Sequence, residues 1–193
     1  MPLSALPVPV LLIGGGAGSG KTTVATEVAM TRPGTRVVHL DHCFHTDRGR
    51  APLVPAINRP GLVINYSDPD SIDWGCVQDS MDAAVCPDTR ILVVEGTFAL
   101  LPALTSVARW SIYVNTPADL RLARKTLRKI SDGADPEIGL RGYLAHGRDA
   151  HTRHVAPLRE AADLVLDGTR AVGHLVQQVH ALLNTAWKAP ANG

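Results

Sequence analysis

Eight residues near the start of the chain constrain its fold more than any other segment. Residues 15–22 read GGAGSGKT and match G-x-x-x-x-G-K-[ST] at every fixed position. The apolar run at residues 8–13 precedes them, and a stretch that favours a helix follows. In this strand–loop–helix context, backbone N–H groups and a helix N-terminus surround phosphate oxygens. The segment predicts a nucleoside triphosphate site, with Lys21 directed at the β- and γ-phosphates and the Thr22 hydroxyl at Mg²⁺.

A glycine-rich turn that binds nothing is the alternative interpretation of residues 15–22. It explains the glycines, which are common in tight turns. It gives no reason for Lys21 and Thr22 to stand in the fixed positions that follow. Phosphate binding explains the glycines and both side chains together, so we favour it.

The composition excludes several other classes of protein. The 193 residues are 45% hydrophobic and 19% charged, which is enough for one compact domain with a sizeable core. A formal charge of +1 argues against a nucleic-acid-binding protein, and no apolar run is long enough to span a membrane. Three cysteines without paired spacing favour a reduced compartment. We therefore predict a single cytoplasmic domain over residues 1–193, and leave the oligomeric state open, a homodimer being one alternative.

Apolar runs alternate with helical stretches along the chain. Strands buried on both faces are predicted at residues 8–13, 36–40, 91–94, 110–114 and 164–166. Helices are predicted at residues 21–30, 72–85, 98–107, 116–131, 136–156 and 171–187. This alternation indicates an α/β three-layer sandwich around a parallel five-stranded sheet. Residues 42–72, rich in Pro, Gly, Asp and Asn, predict a long loop, in which a short helix is an open alternative.

Two carboxylates follow predicted strands. Asp41 ends the second strand, and Glu95 ends the apolar run at residues 91–94. Ligands of parallel α/β sheets bind beyond the carboxyl ends of the strands, so both side chains are expected near the phosphate loop if the strands are neighbours. One carboxylate could accept a proton from a substrate hydroxyl, and the other could hold Mg²⁺. For Asp41, a solvated turn residue is the alternative.

Five segments resemble the uridine kinase, nicotinamide riboside kinase and phosphoribulokinase group of P-loop kinases, in the group's order, between about residues 8 and 168. Residues 18–23 read GSGKTT, and residues 41–44 read DHCF, similar to the group's DxFY or DDFF. Residues 65–73 read NYSDPDSID, similar to NFDHPDAFD. Residues 91–96 form a strand ending in Glu-Gly, and residues 121–128 read RLARKTLR, similar to an arginine-rich lid helix.

The resemblance implies a P-loop nucleoside triphosphate hydrolase fold of the nucleoside/nucleotide kinase type, with ATP and Mg²⁺ as cofactors. It implies phosphorylation of a hydroxyl on a small ribosyl- or polyol-type molecule, with a substrate loop around residues 42–73 and a lid around residues 121–135. The implied catalytic residues are Asp41 as the base, with Lys21, Arg124 and Arg128. The implied substrate-binding residues are Asp41, Phe44, Asp68, Asp70 and Arg121, and the implied metal-binding residues are Thr22 and Glu95. The nucleotide is expected to contact Gly15, Gly16, Ala17, Gly18, Ser19, Gly20, Lys21, Thr22, Thr23, Arg124 and Arg128.

The chain departs from the group at several positions. Ser67 replaces the first Asp of the substrate segment, and Lys129 stands where the group usually has Asp. The stretch between Asp73 and Ile91 lacks the extra sequence that uridine kinases carry there. A kinase of another small metabolite, such as an antibiotic or a pathway intermediate, therefore stays open. So does a non-catalytic regulator that binds a nucleoside triphosphate.

Histidines near the predicted base allow one further hypothesis. His39, His42, Cys43 and His45 crowd the end of the second strand, where a Zn²⁺ site is conceivable. Their spacing matches no standard metal motif, so substrate contact or exposure to solvent is favoured. The later pair at residues 151 and 154 is one helical turn apart and predicts a polar helix face.

Overall fold

The computed structural model describes residues 3–185, which form seven strands and seven α-helices. In chain order the strands are β1 (Val10–Gly14), β2 (Thr35–His39), β3 (Leu53–Pro55), β4 (Leu62–Ile64), β5 (Ile91–Glu95), β6 (Trp110–Asn115) and β7 (Leu164–Asp167). The helices are α1 (Lys21–Thr31), α2 (Trp74–Ala84), α3 (Pro102–Thr105), α4 (Ala118–Ser131), α5 (Pro136–Gly142), α6 (Arg148–Ala150) and α7 (Val172–Thr185). The predicted end of the last helix at Trp187 lies outside the described residues.

Five of the strands form one parallel sheet in the order β2-β5-β1-β6-β7. Every residue of β1 and of β5 is buried, because helices cover both faces of the sheet. That burial explains the uninterrupted apolar runs in the sequence. The predicted five-stranded parallel sheet and P-loop fold are confirmed.

The register of the central strands brings the predicted site together. Ile13 of β1 lies opposite Glu95 of β5, which in turn lies opposite His39 of β2. The carboxyl ends of these three strands therefore meet at one edge of the sheet. The loop after β1, Asp41 in the 3₁₀ turn that follows β2, and Glu95 at the end of β5 lie along that edge, as predicted.

Two layers of side chains pack on the sheet. On one face, α1 and α7 bury apolar residues such as Val24, Val28 and Val179. On the other face, α2 and the segment around α3 contribute Met81 and Phe98. No helix among residues 3–185 is both long and apolar enough to cross a bilayer.

Three regions differ from the predicted elements. Residues 42–73 contain an antiparallel hairpin of β3 and β4 in addition to a 3₁₀ turn at Pro69–Ser71. Helix α3 is shorter than predicted, and its first residue is Pro102. The predicted helix at 136–156 is helical throughout but includes two π-helical turns, Tyr143–Gly147 and His151–Val155. The π turns alter the angular spacing of side chains, which matters for the site.

Candidate active site

The phosphate loop connects β1 to α1 in a backbone conformation that requires glycine. Gly15, Gly18 and Gly20 have φ values of 139°, 81° and 103°, in the left-handed region that other residues rarely adopt. A Cβ on Gly15 would lie 2.6 Å from the carbonyl oxygen of Val114, which is backbone and cannot swing away. The buried hydroxyl of Ser19 has no hydrogen-bond partner among the described residues. A cradle without side chains and an unpartnered hydroxyl fit an oxygen-rich anion such as a polyphosphate.

Lys21 begins α1 and is almost fully buried, with 6% of its surface exposed. Its Nζ donates to the carbonyl oxygen of Gly16 at 3.3 Å, so the ammonium group folds back over the loop. Burial lowers the pKa of Lys21, and the carboxylates of Glu95 and Asp41 oppose part of that shift. A buried ammonium group over the loop is placed to contact phosphate oxygens.

The Glu95 side chain contacts both the end of the phosphate loop and β2. Its Oε1 accepts a hydrogen bond from the Thr22 hydroxyl at 3.0 Å and lies 2.7 Å from Nδ1 of His39. The side chain is 5% exposed. A hydroxyl and a carboxylate at this separation are oxygen donors of the kind Mg²⁺ prefers, so the two predicted metal-binding residues fit that ion.

The zinc hypothesis finds no support in the described part of the chain. His39 pairs with Glu95, and His45 lies 3.2 Å from the Asp73 carboxylate through Nδ1. No group of three or more His, Cys, Asp or Glu side chains among residues 3–185 is arranged to hold a metal ion.

The segment that carries Asp41 is anchored to the far end of the substrate loop. Asp73 N–H donates to the carbonyl oxygen of Cys43 at 2.8 Å, and Phe44 forms an antiparallel bridge with Ile72. The Sγ atoms of Cys43 and Cys76 are 2.8 Å apart, and both cysteines are free thiols. Residues 42–73 therefore form a closed loop whose two ends meet beside Asp41.

A cavity of about 650 Å³ opens beside the phosphate loop at this edge of the sheet. Its first wall is the segment after β2, including Asp41 and Phe44, together with Tyr66 and Ser67. The opposite wall is one face of α4, and residues 143–155 close a third side. Phe44 and Tyr66 are in edge-to-face contact with ring centroids 5.3 Å apart, so an aromatic pair adjoins the predicted base.

The predicted lid residues lie in different surroundings. Arg121 is buried, lines the cavity, and donates from Nε to the carbonyl oxygen of Thr116 at 3.0 Å. Arg128 lines the same cavity and is exposed. Arg124 is outside the cavity lining, and its Nη1 donates to the carbonyl oxygen of Gly168 in the loop after β7 at 3.0 Å.

The two acidic residues of the predicted substrate segment lie outside the cavity lining. Asp68 Oδ1 accepts a hydrogen bond from the Asp70 backbone N–H at 3.0 Å and so caps the 3₁₀ turn. Asp70 is exposed. From this segment it is Ser67, the residue that departs from the group's pattern, that lines the cavity together with Tyr66.

Several lining residues were not among the predicted site residues. Lys125 and Lys129 follow Arg121 by four and eight positions. This spacing could have predicted from the sequence that all three residues lie on one face of the helix. His151 was predicted to lie with His154 on a polar face, but it lines the cavity instead. The π-helical turns around it break the 3.6-residue period on which that prediction depended.

We expect the lowered pKa of His151 to make the free energy of unfolding depend on pH. Burial lowers its pKa from 6.5 to about 4, and Arg121 and Lys21 add to the shift. Between these pH values the unfolded chain binds more protons than the folded chain, so the free energy of unfolding should fall as the pH drops through this window. We expect His151→Gln, which cannot be protonated, to show a shallower fall in urea unfolding measured across the window. His174→Gln, an exposed histidine on α7, is the matched control. An identical pH dependence in His151→Gln and wild type would contradict this assignment.

The chain is similar to curated proteins named uridine kinase over most of its length. It is 29% identical to the uridine kinase of Deinococcus deserti, with 81% of this chain and 86% of that protein covered. It is 26% identical to the uridine kinase of Chloroflexus aurantiacus, with 97% of this chain and 99% of that protein covered. For the uridine kinase of Halobacterium salinarum the identity is 27%, with coverages of 95% and 94%. No protein-family model matches the chain.

Two solved structures have a similar fold. A putative fructose transport system kinase from Silicibacter has a TM-score of 0.58 and 20% identity, with 83% of this chain and 90% of that chain covered. A sugar kinase from Janibacter has a TM-score of 0.55 and 20% identity, with coverages of 93% and 96%. The curated relatives confirm the resemblance predicted from the five segments, and the two solved structures confirm the fold.

Proposed function

We propose that this chain, a small-molecule kinase with the P-loop fold and a sequence similar to uridine kinases, transfers the γ-phosphate of ATP to a hydroxyl of a ribosyl- or polyol-type metabolite. The observation that carries the proposal is the cavity beside the phosphate loop, in which Asp41 lines one wall and the basic residues of α4 line the opposite wall. A carboxylate, a phosphate cradle and guanidinium groups around one cavity are the parts that phosphoryl transfer to an alcohol requires.

Asp41 is the proposed general base. As the acceptor oxygen attacks the γ-phosphorus, its proton passes to the Asp41 carboxylate, and the bond from the γ-phosphorus to the β–γ bridging oxygen breaks to release ADP. Negative charge spreads over the oxygens of the transferred group during this step. Lys21, over the loop, and Arg128, on α4, would stabilise that charge.

Mg²⁺ is the proposed metal cofactor. Thr22 and Glu95 would hold it, because their oxygens lie 3.0 Å apart beside the phosphate loop. When bound, the ion neutralises part of the charge on the β- and γ-phosphates. The contact from His39 to Glu95 Oε1 at 2.7 Å fixes the orientation of that carboxylate.

On the nucleotide side, we propose that Arg124 flanks ATP rather than the acceptor. Its hydrogen bond to the Gly168 carbonyl oxygen directs the guanidinium to the loop after β7, away from the cavity that Asp41 lines. Arg121 is proposed as a substrate contact with a fixed orientation, since Thr116 accepts from its Nε. Asp68, which caps a turn, and Asp70, which faces solvent, would reach a substrate hydroxyl only from outside the cavity lining.

A screen of acceptors tests the proposal. We expect ADP release, measured by a coupled assay with Mg²⁺ and ATP, to rise above the ATP-only rate with at least one compound among nucleosides, nicotinamide riboside, pantothenate-like alcohols and sugars. The product should carry the new phosphate on a hydroxyl oxygen, which phosphorus NMR identifies. Turnover only with compounds outside these classes would instead favour the kinase of a different metabolite.

A further inference from the structure

We infer that the acceptor carries an anionic group, a phosphate ester or a carboxylate, that binds the basic face of α4. The inference rests on the proposed kinase function and deepens it by naming the class of acceptor. It starts from four cationic side chains that line the cavity: Arg121, Lys125, Arg128 and Lys129. Asp41 is the one carboxylate among the lining residues.

The spacing of these residues makes them a single surface. From Arg121 the others follow at four, seven and eight positions, so all four side chains project from the same side of α4. We call them the α4 basic face. Arg124, at three positions from Arg121, bonds to the Gly168 carbonyl oxygen and is not part of the cavity lining. The helix thus presents one cation to the loop after β7 and four to the cavity.

Among the described residues, no carboxylate forms an ion pair with the α4 basic face, although Asp41 acts electrostatically on Lys125. Among residues 3–185, no ion pair or side-chain hydrogen bond involves Lys125, Arg128 or Lys129. Lys125 is half-buried, and burial together with Lys129, Arg128 and Arg121 lowers its pKa. A partly desolvated ammonium group beside three other cations is costly unless an anion joins them.

The nucleotide does not account for all of this charge. The phosphate loop and Lys21 already surround the expected phosphate position, and Thr22 with Glu95 fits the metal ion. Lys125 interacts electrostatically with Asp41, and both line the cavity with Ser67. Arg128 is already proposed to contact the transferred phosphate, so Lys125 and Lys129 are the surplus cations, and they line the space that the acceptor must occupy to reach the base.

This arrangement also discriminates against uncharged acceptors. A neutral polyol in the cavity would leave Lys125 and Lys129 without a counter-charge in a partly desolvated site, whereas a phosphate or carboxylate would form charge-assisted hydrogen bonds with them. The charge of Lys125 and Lys129 should therefore select an anionic substrate.

Binding of matched probes to the full chain tests the inference without requiring turnover. The protein is saturated with Mg²⁺ and a non-hydrolysable ATP analogue, and calorimetry measures the Kd of ribose 5-phosphate against ribose and of glycerate against glycerol. We expect at least one charged probe to bind about tenfold or more tightly than its neutral partner. The two pairs separate a phosphate ester from a carboxylate as the recognised group.

Variants of the α4 basic face identify the cause of the preference. Lys125→Met and Lys129→Asp should each weaken binding of the charged probe by about tenfold while leaving the Kd of the ATP analogue within about twofold. Lys129 is exposed, so its variant should fold even if Lys125→Met does not. Arg90→Gln removes a positive charge at the amino end of β5, on the opposite edge of the sheet, and should change neither Kd.

The outcomes separate this inference from the proposed function. Equal or tighter binding of the neutral probes, a preference that survives both lysine variants, or no binding of either anion at millimolar concentration would overturn it. Tight, lysine-dependent binding of an anion that is never phosphorylated would support the anion site and count against the proposed kinase reaction on that class. Phosphorylation of neutral acceptors alone would support the proposed kinase function and contradict the anion site.

Discussion

Replacing Asp41 with Asn is expected to lower kcat by about 10²- to 10⁴-fold with any acceptor that the wild-type protein phosphorylates. The amide has nearly the same shape as the carboxylate but cannot accept the hydroxyl proton at neutral pH. Asp41 lines the cavity beside the phosphate loop rather than the loop itself, so the Kd for ATP should stay within about twofold. Turnover measured by ADP release and ATP binding measured by calorimetry give the two values separately.

A matched substitution shows whether the loss is specific to Asp41. Asp79 is an exposed residue of α2 outside the cavity lining, and Asp79→Asn should leave kcat unchanged. Unchanged turnover in Asp41→Asn would remove Asp41 from the role of base. A parallel loss of ATP binding would instead indicate that Asp41 helps to hold the nucleotide.

The sheet was predictable because its central strands are covered on both sides. A strand such as β1 or β5 has no solvent-facing side, so apolar residues run without interruption and mark its bounds to within about two residues. Glu95 lies next to the phosphate loop because β5 and β1 are neighbours in the sheet. The sequence suggested this strand order but did not establish it. The hydrogen bond between Thr22 and Glu95 confirms that these two side chains meet.

The hairpin in the substrate loop could not be predicted because its strands are very short. Strands β3 and β4 have three residues each, too few for an alternating pattern to stand out, and Leu53 and Leu62 are exposed. The role of Asp68 could not be predicted either, because one residue pattern fits two roles. An Asp before Pro can bind a substrate hydroxyl or cap the turn that follows, and the residue types are identical in both cases.

The third wall of the cavity, residues 143–155, could not be predicted from the sequence because its helical geometry changes. A sequence carries no mark of a π-helical turn, so the prediction treated residues 143–155 as regular helix and gave His151 a place on a polar face. The α4 basic face, in contrast, follows regular helical spacing. The structure adds that the cavity lies on that side of the helix, and the proposal of a substrate surface depends on this observation.

The other large effect is expected from Lys21→Ala, which should raise the Kd for ATP by about 10²- to 10³-fold. Nζ of Lys21 lies over the phosphate loop, 3.3 Å from the Gly16 carbonyl oxygen, in a nearly water-free position. Removing one partner of a buried charge-assisted contact typically costs about 2–5 kcal/mol, and about 1.4 kcal/mol corresponds to a factor of ten. Calorimetric titration with ATP and Mg²⁺ measures the change directly.

The magnitude of that loss depends on charge balance around the loop. With Lys21 absent, the carboxylates of Glu95 and Asp41 lose the nearest buried cation, so they repel the nucleotide in addition to the lost attraction. Lys21→Met, which keeps most of the side-chain volume, should weaken binding about as much as Lys21→Ala, because the ammonium charge and not the packing is responsible. Tight ATP binding in both variants, with folding intact by circular dichroism, would contradict the assignment of residues 15–22 as the phosphate site.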